Sequence, residues 1–99
     1  MTKFQQLCYQ TLTANVPAGR VISYAKLAEL IGHPKAYRAV GSAMNKNPFA
    51  PEVPCHRVVK SDGTVGDFAF GSSSKQKRLQ AEGVLINNNK ITNFKEISV

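Results

Sequence analysis

Residues 51 to 63 read PEVPCHRVVKSDG and set a thiol, an imidazole and a guanidinium side by side at Cys55, His56 and Arg57. Three chemistries suit that adjacency: a buried thiol beside an unrelated histidine, a corner of a metal site, or a nucleophile next to its base. A thiol reacts as the thiolate, which a positive field favours, and His56, Arg57 and Lys60 would supply one. In a regular strand, however, His56 would point away from Cys55. The two can cooperate only if the backbone turns. Pro54 restricts Val53 to an extended conformation and removes one amide donor, so a bend between EVP and CHR is expected.

A histidine base works best when a third group fixes its tautomer and orientation. Of the six acidic residues, Glu82 is the odd one: the pattern places it in the last turn of a helix, where the macrodipole disfavours a carboxylate by about 0.3–1 kcal/mol. Either it meets a partner elsewhere in the fold, or it is solvated and paired with Arg78 one turn back. Cys8, His33, Cys55 and His56 could in principle hold a metal, but there is no C-x-x-C or H-x-x-x-H spacing, and adjacent Cys55 and His56 chelate poorly. No metal and no other cofactor is expected.

The elements that must position these groups can be read from the pattern. Ninety-nine residues, 42% of them hydrophobic, suffice for one domain with one modest core. No apolar run approaches the roughly 18 residues of a membrane span, and the N-terminus lacks a secretory pattern, so a cytoplasmic protein with free Cys8 and Cys55 is expected. A net charge of +7 suits a polyanionic partner such as nucleic acid or an anionic lipid surface, or is merely a basic solvated face. Phe4, Leu7, Cys8 and Leu12 form the stripe of a first helix ended by Pro17 and Gly19, with Cys8 a small core residue. Ser23 caps a second helix whose Tyr24, Leu27, Ala28 and Ile31 share a face and which Gly32 stops.

A third helix is expected over PKAYRAVGSAMNKN, with Pro34 in its first turn and Asn47-Pro48 as its end, completing a helix-turn-helix. Its small residues Ala36, Ala39, Gly41, Ser42 and Ala43 imply a close approach to the backbone, since a helical glycine costs about 1 kcal/mol relative to alanine. The approaching group is either another helix or a ligand. Lys35 and Arg38, three apart beside those small residues, would suit a DNA groove. VVKSDGTVG alternates around Asp62-Gly63 and predicts a hairpin wing. SSSKQKRLQAEG predicts a fourth helix stopped at Gly83, and VLINNNKITNF a small hairpin through the asparagines. The fold class is therefore mostly α with a small β wing, a winged helix-turn-helix in a single domain spanning 1–99.

PCHRVV, preceded by NP and followed by a glycine turn, with GRVISYAKLAELIG and PKAYRAVGSAM upstream, resembles the DNA-binding domain of O6-alkylguanine-DNA alkyltransferases over about residues 4–83. The resemblance implies a winged helix-turn-helix that docks in the DNA minor groove and flips an alkylated guanine into a pocket, where a cysteine takes the alkyl group. It makes Cys55 the acceptor, His56 its base acting through a water, and Glu82 the residue that orients His56. Asn47 matches an asparagine that braces the active-site turn. Tyr24 matches a tyrosine that crowds the phosphate and can protonate the leaving guanine, and Arg38 an arginine finger that fills the vacated stack. Lys35, Ala36, Ala39, Gly41 and Ser42 would line the DNA face; Val53, Pro54, Phe68, Ala69 and Phe70 would line the base pocket. Arg57 and Lys75 match supporting positions.

Phe68 and Ala69 stand where many members carry a tyrosine and a serine, which implies weaker recognition of the guanine edge. The chain also lacks a match to the N-terminal domain that commonly precedes this module. That compact length resembles alkyltransferase-like proteins, which bind alkylated DNA without repairing it and commonly replace the cysteine by tryptophan; here Cys55 is kept. Two functions follow as expectations. One is a monomeric, single-turnover methyltransferase acting on O6-alkylguanine in double-stranded DNA; the other is a lesion sensor that recruits further repair proteins.

Overall fold

The computed structural model describes residues 1–50, 52–66 and 72–99, including the side chains of all but 72 and 73. Thr2 and Gln5 form a reciprocal capping box that starts α1 (Lys3–Asn15). Cys8, Tyr9 and Leu12 are buried on its inner face. Leu7 is not: it is 39% exposed, and Tyr9 takes its place in the core because its hydroxyl donates to the Ala43 carbonyl at 2.7 Å.

A short strand, β1 (Ile22–Ser23), leads directly into α2 (Tyr24–Leu30), and the Ser23 hydroxyl accepts from the Lys26 amide at 3.0 Å as the cap requires. Gly32, at φ +83°, ends α2 in a Schellman motif, with His33 N–H donating to Ala28 O and Gly32 N–H to Glu29 O. α3 (Tyr37–Asn45) then starts three residues later than the pattern suggests. Pro34 sits in the connecting turn, closed by Ala36 N–H on His33 O at 2.9 Å, because the reversal after Gly32 consumes those residues. Val40, Ala43 and Met44 bury the inner face of α3 against α1 and α2.

β2 (Val58–Val59) pairs with β1 in parallel, Ile22 opposite Val58 and Ser23 opposite Val59. Both valines are fully buried. Side chains alternate across this ribbon, so it divides two cores. Ile22 and Val58 face the helical cluster with Leu12, Leu27 and Val40; Val21 and Val59 face a second cluster with Val65, Leu79, Val84 and Ile91. The expected wing is consequently different in detail. Asp62-Gly63 does turn the chain, with Gly63 at φ +89° and Lys60 N–H donating to Thr64 O, but Val58–Val59 already pair with β1. The outgoing arm pairs instead with the C-terminal tail, Val65 N–H reaching Asn89 O and Ile91 N–H reaching Gly63 O.

After α4 (Ser72–Ala81) the tail forms the expected hairpin, β3 (Ile86–Asn87) with β4 (Lys90–Ile91). Asn88 and Asn89 both adopt positive φ, 51° and 62°, as a two-residue type I′ turn demands. A last short helix, α5 (Phe94–Ile97), which the pattern does not announce, carries the C-terminus back to the ribbon, where Val99 N–H donates to Val21 O at 2.8 Å. The described residues are thus mostly helical with small sheets. None of their helices is long and apolar enough to cross a membrane.

Candidate active site and nucleic-acid face

The chain does bend before Cys55. Pro54, at φ −83° and ψ 64°, is the centre of an inverse γ-turn closed by Cys55 N–H on Val53 O at 2.9 Å, and Cys55–Arg57 follow as one 3₁₀ turn. Asn47 braces this bend from the end of α3: its amide donates to Val53 O at 2.9 Å while its carbonyl oxygen accepts from Phe49 N–H. Cys55 and His56 are 3% and 4% exposed, and Pro54 is buried beside them.

Burial raises the Cys55 pKa above the ordinary thiol value. A hydrogen bond from Asn47 and the charges of Lys75 and Arg78 pull in the opposite direction without cancelling it. The expected field of His56, Arg57 and Lys60 is not what acts on the sulfur; the helix α4 supplies the nearby cations instead. The reason is the 3₁₀ turn, which directs Arg57 to Glu82 rather than to its chain neighbour. Among the described residues no hydrogen bond joins His56 to Cys55.

Glu82 lies just past α4, as the C-cap of a second Schellman motif formed by Val84 N–H on Leu79 O and Gly83 N–H on Gln80 O. Its side chain is only 17% exposed. It receives Arg57 in two-pronged fashion, Nε on Oε1 at 3.0 Å and Nη2 on Oε2 at 2.5 Å, while Arg57 Nη1 donates to the Val16 carbonyl. His56 Nε2 stands 3.1 Å from Glu82 Oε1, close but poorly aligned for a hydrogen bond. Glu82 is therefore a buried hub and not a solvated end residue. Burial pushes its pKa up, but the hydrogen bonds from Arg57 and the closeness of His56 outweigh this and hold it below the ordinary carboxylate value. Burial lowers the His56 pKa despite Glu82, so the ring is neutral at pH 7, the form able to accept a proton.

Tyr24, the first residue of α2, packs beside the same helical core, and its hydroxyl accepts from Lys75 Nζ at 3.2 Å. Lys75 itself is fully buried, which the polar run around it gives no reason to expect. The outer face of α3 presents Arg38, Ala39 and Ser42 to solvent, with Gly41 partly exposed above the Tyr24 ring. Among the described residues, a Cβ at Gly41 would meet only that ring, at 3.9 Å, an ordinary contact, so packing among them does not require a glycine there. Lys35 is exposed and Ala36 half-buried, both ahead of α3 rather than within it. Val53 packs at the edge of the core beside the turn, while Phe68, Ala69 and Phe70 lie outside the described residues. His33 packs against Phe4 at the turn after α2, and among the described residues no three His, Cys, Asp or Glu side chains converge as a metal site requires.

A family model described as the 6-O-methylguanine DNA methyltransferase DNA-binding domain matches residues 3–84. The chain belongs to that family. Among curated relatives of this methyltransferase family, the bifunctional transcriptional activator/DNA repair enzyme Ada of Escherichia coli is 47% identical over 81 residues, covering 82% of this chain and 23% of that protein. The methylated-DNA–protein-cysteine methyltransferase of Shigella flexneri is 44% identical over 86% of this chain and 49% of its own length. The chain thus spans about half or less of these relatives. Among solved structures, Mycobacterium tuberculosis OGT in complex with DNA shares 40% identity with a TM-score of 0.80 over 83% of this chain and 50% of that one. S. pombe Atl1 in complex with damaged DNA containing O6-carboxymethylguanine matches with 31% identity and a TM-score of 0.88 over 100% of this chain and 96% of that one. This domain therefore has relatives of both kinds, long and short.

Proposed function

We propose that the protein repairs O6-alkylguanine in duplex DNA by moving the alkyl group irreversibly to Cys55. The observation that supports this reading best is the position of Cys55 itself: a buried thiol on a braced 3₁₀ turn, next in chain to a neutral His56 that faces Glu82, with Tyr24 packed against the same core. In this reading Arg38 enters from the minor groove to fill the gap left by the flipped base, and the smooth surface of Ala39, Gly41 and Ser42 lies against the backbone. Flipping takes a few kcal/mol, which the inserted side chain offsets in part. His56 takes the thiol proton through a water and Glu82 holds the imidazolium. Displacement at a saturated carbon then leaves a thioether, a bond that thiols do not readily cleave, so each molecule turns over once, as a monomer and without a cofactor.

The test is direct. Incubated with duplex DNA bearing O6-methylguanine, the protein gains the mass of one methyl group, located on Cys55 by peptide mapping; an unchanged mass would sink the proposal. The second reading, a lesion sensor that binds without transfer, is favoured by the end-to-end match with Atl1. It predicts tight binding of the same DNA with no mass change.

A further inference from the structure

The end of α3 lacks the usual means of closing a helix. No glycine follows it, its last turn holds no basic side chain, and Lys46 stands at φ −96°, outside the left-handed region. Asn47 N–H, which a continuing helix would aim at Ala43 O, goes instead to Met44 O at 3.3 Å. The Ala43 carbonyl, on a residue 1% exposed, is thus left without a backbone donor among the described residues. A buried acceptor in that state is costly, and α1 supplies the remedy. The buried Tyr9 donates its hydroxyl to Ala43 O at 2.7 Å.

The same ring meets Phe49 edge to face, with centroids 6.1 Å apart at 80°. Phe49 lies on the other side of Asn47: its N–H donates to Asn47 Oδ1 at 2.9 Å, and its carbonyl accepts from Val53 N–H at 3.0 Å. Tyr9 therefore fixes the chain just before Asn47 and just after it. Asn47 in turn donates to Val53 O, the carbonyl that also takes Cys55 N–H. We propose that Tyr9 is a positioning residue for alkyl transfer, which sets Asn47 from both sides and through it holds the Cys55 turn in register for the attack. This rests on the alkyl-transfer reading above. Without the hydroxyl the last turn of α3 must find another donor for Ala43 O, and Asn47, which leaves that turn, moves with it.

Tyr9→Phe removes the hydroxyl and keeps the ring on Phe49. Single-turnover methyl transfer from saturating O6-methylguanine duplex DNA is expected to slow about tenfold, since small misplacements of the attacking group are felt in the reaction, while DNA affinity changes less than about twofold. The thiol reports the same loss without DNA. Asn47 favours the Cys55 thiolate, so alkylation by iodoacetamide at pH 8 should slow about threefold and its pH profile should move upward. In an Asn47→Ala background Tyr9→Phe should change either rate less than about twofold, because the group it acts through is gone. A lowered Tm with both rates unchanged would make Tyr9 a purely structural tie and overturn the inference, as would losses that multiply in the double variant or a loss confined to DNA affinity. Should Tyr9→Phe not fold, Phe49→Leu, at a residue 46% exposed, removes the other half of the ring contact and is read in the same two reactions and background. A wild-type protein that gains no methyl group overturns the alkyl-transfer reading and this inference together, whereas reactive wild type with multiplying variants overturns this inference alone.

Discussion

Arg57 and Glu82, 25 residues apart, grip each other through Nε to Oε1 at 3.0 Å and Nη2 to Oε2 at 2.5 Å, and the same guanidinium reaches the Val16 carbonyl at 2.9 Å. That fork ties the active-site turn to the end of α4 and to the end of α1. Both side chains are mostly buried, 16% and 17% exposed, so the pair is only weakly screened. Arg57→Ala would leave Glu82 buried with a single partner, and a loss of about 2–4 kcal/mol is expected, between the values for charged hydrogen bonds and for broken buried pairs. Arg57→Lys keeps the charge but loses the fork and should fall between the two. Urea unfolding measures it, and an Arg57→Ala protein as stable as wild type would show the pair to be energetically idle.

Glu82→Gln tests the other side of the hub. It preserves shape but removes the charge that faces His56, so methyl transfer to Cys55 should slow about tenfold or more while DNA affinity changes less than about threefold. Gel-shift titration and quenched-flow mass analysis on the same preparation give the two numbers. A variant that transfers at the wild-type rate would remove Glu82 from the reaction and leave it a structural tie.

Acid should destabilise the fold in two stages. The folded His56 pKa lies below its ordinary 6.5, so between that value and the depressed one the unfolded chain binds a proton that the native chain does not, and stability is lost as the pH is lowered. Glu82, held below its ordinary 4.5, adds a second loss as pH drops from that range through its folded value. Urea midpoints should therefore decline from pH 7 downward, and His56→Gln should flatten the first stage only. A midpoint in the wild type that does not move between pH 7 and pH 5 contradicts the burial-driven shift.

Cys55 runs in the opposite sense. Its folded pKa is raised above the ordinary 9.0, so the free protein at pH 7 holds a thiol rather than a thiolate. Alkylation of Cys55 by iodoacetamide should be slower than that of a free cysteine at pH 7 and should still be rising above pH 9. A plateau reached below pH 8 would mean that the cations of α4 outweigh burial.

On the outer face of α3, Gly41→Ala should separate stability from binding. Among the described residues the added methyl meets only the Tyr24 ring at 3.9 Å, so helix propensity should raise stability by about 0.5–1 kcal/mol. If DNA presses on this face, the same methyl weakens binding, and Arg38→Ala weakens it about tenfold more while lowering the salt dependence. Arg38→Ala should leave the reaction with free O6-benzylguanine unchanged. Equal loss in DNA-borne and free-base reactions would contradict the finger role.

Local signals in the chain suffice for much of this protein. Ser23 and Gly32 bound α2, Gly83 stops α4, and the asparagines at 88 and 89 close the tail hairpin, because caps and positive-φ turns depend only on residues a few positions apart. Pro54 already announces a bend before Cys55, whereas Asn47 as its brace came from the family resemblance alone. What depends on distant partners was out of reach. Pro34 reads as the first turn of a helix, but the reversal at Gly32 places it in the connecting turn. Val58–Val59 would serve a hairpin as well as a parallel ribbon, and burial against Ile22 on one face and the tail on the other selected the ribbon. Glu82 looked misplaced at a helix end, but only the packing of α4 against the 3₁₀ turn brings it to Arg57 and His56. The same packing buries Lys75 against Tyr24, since no spacing in a polar run can show which lysine loses its water.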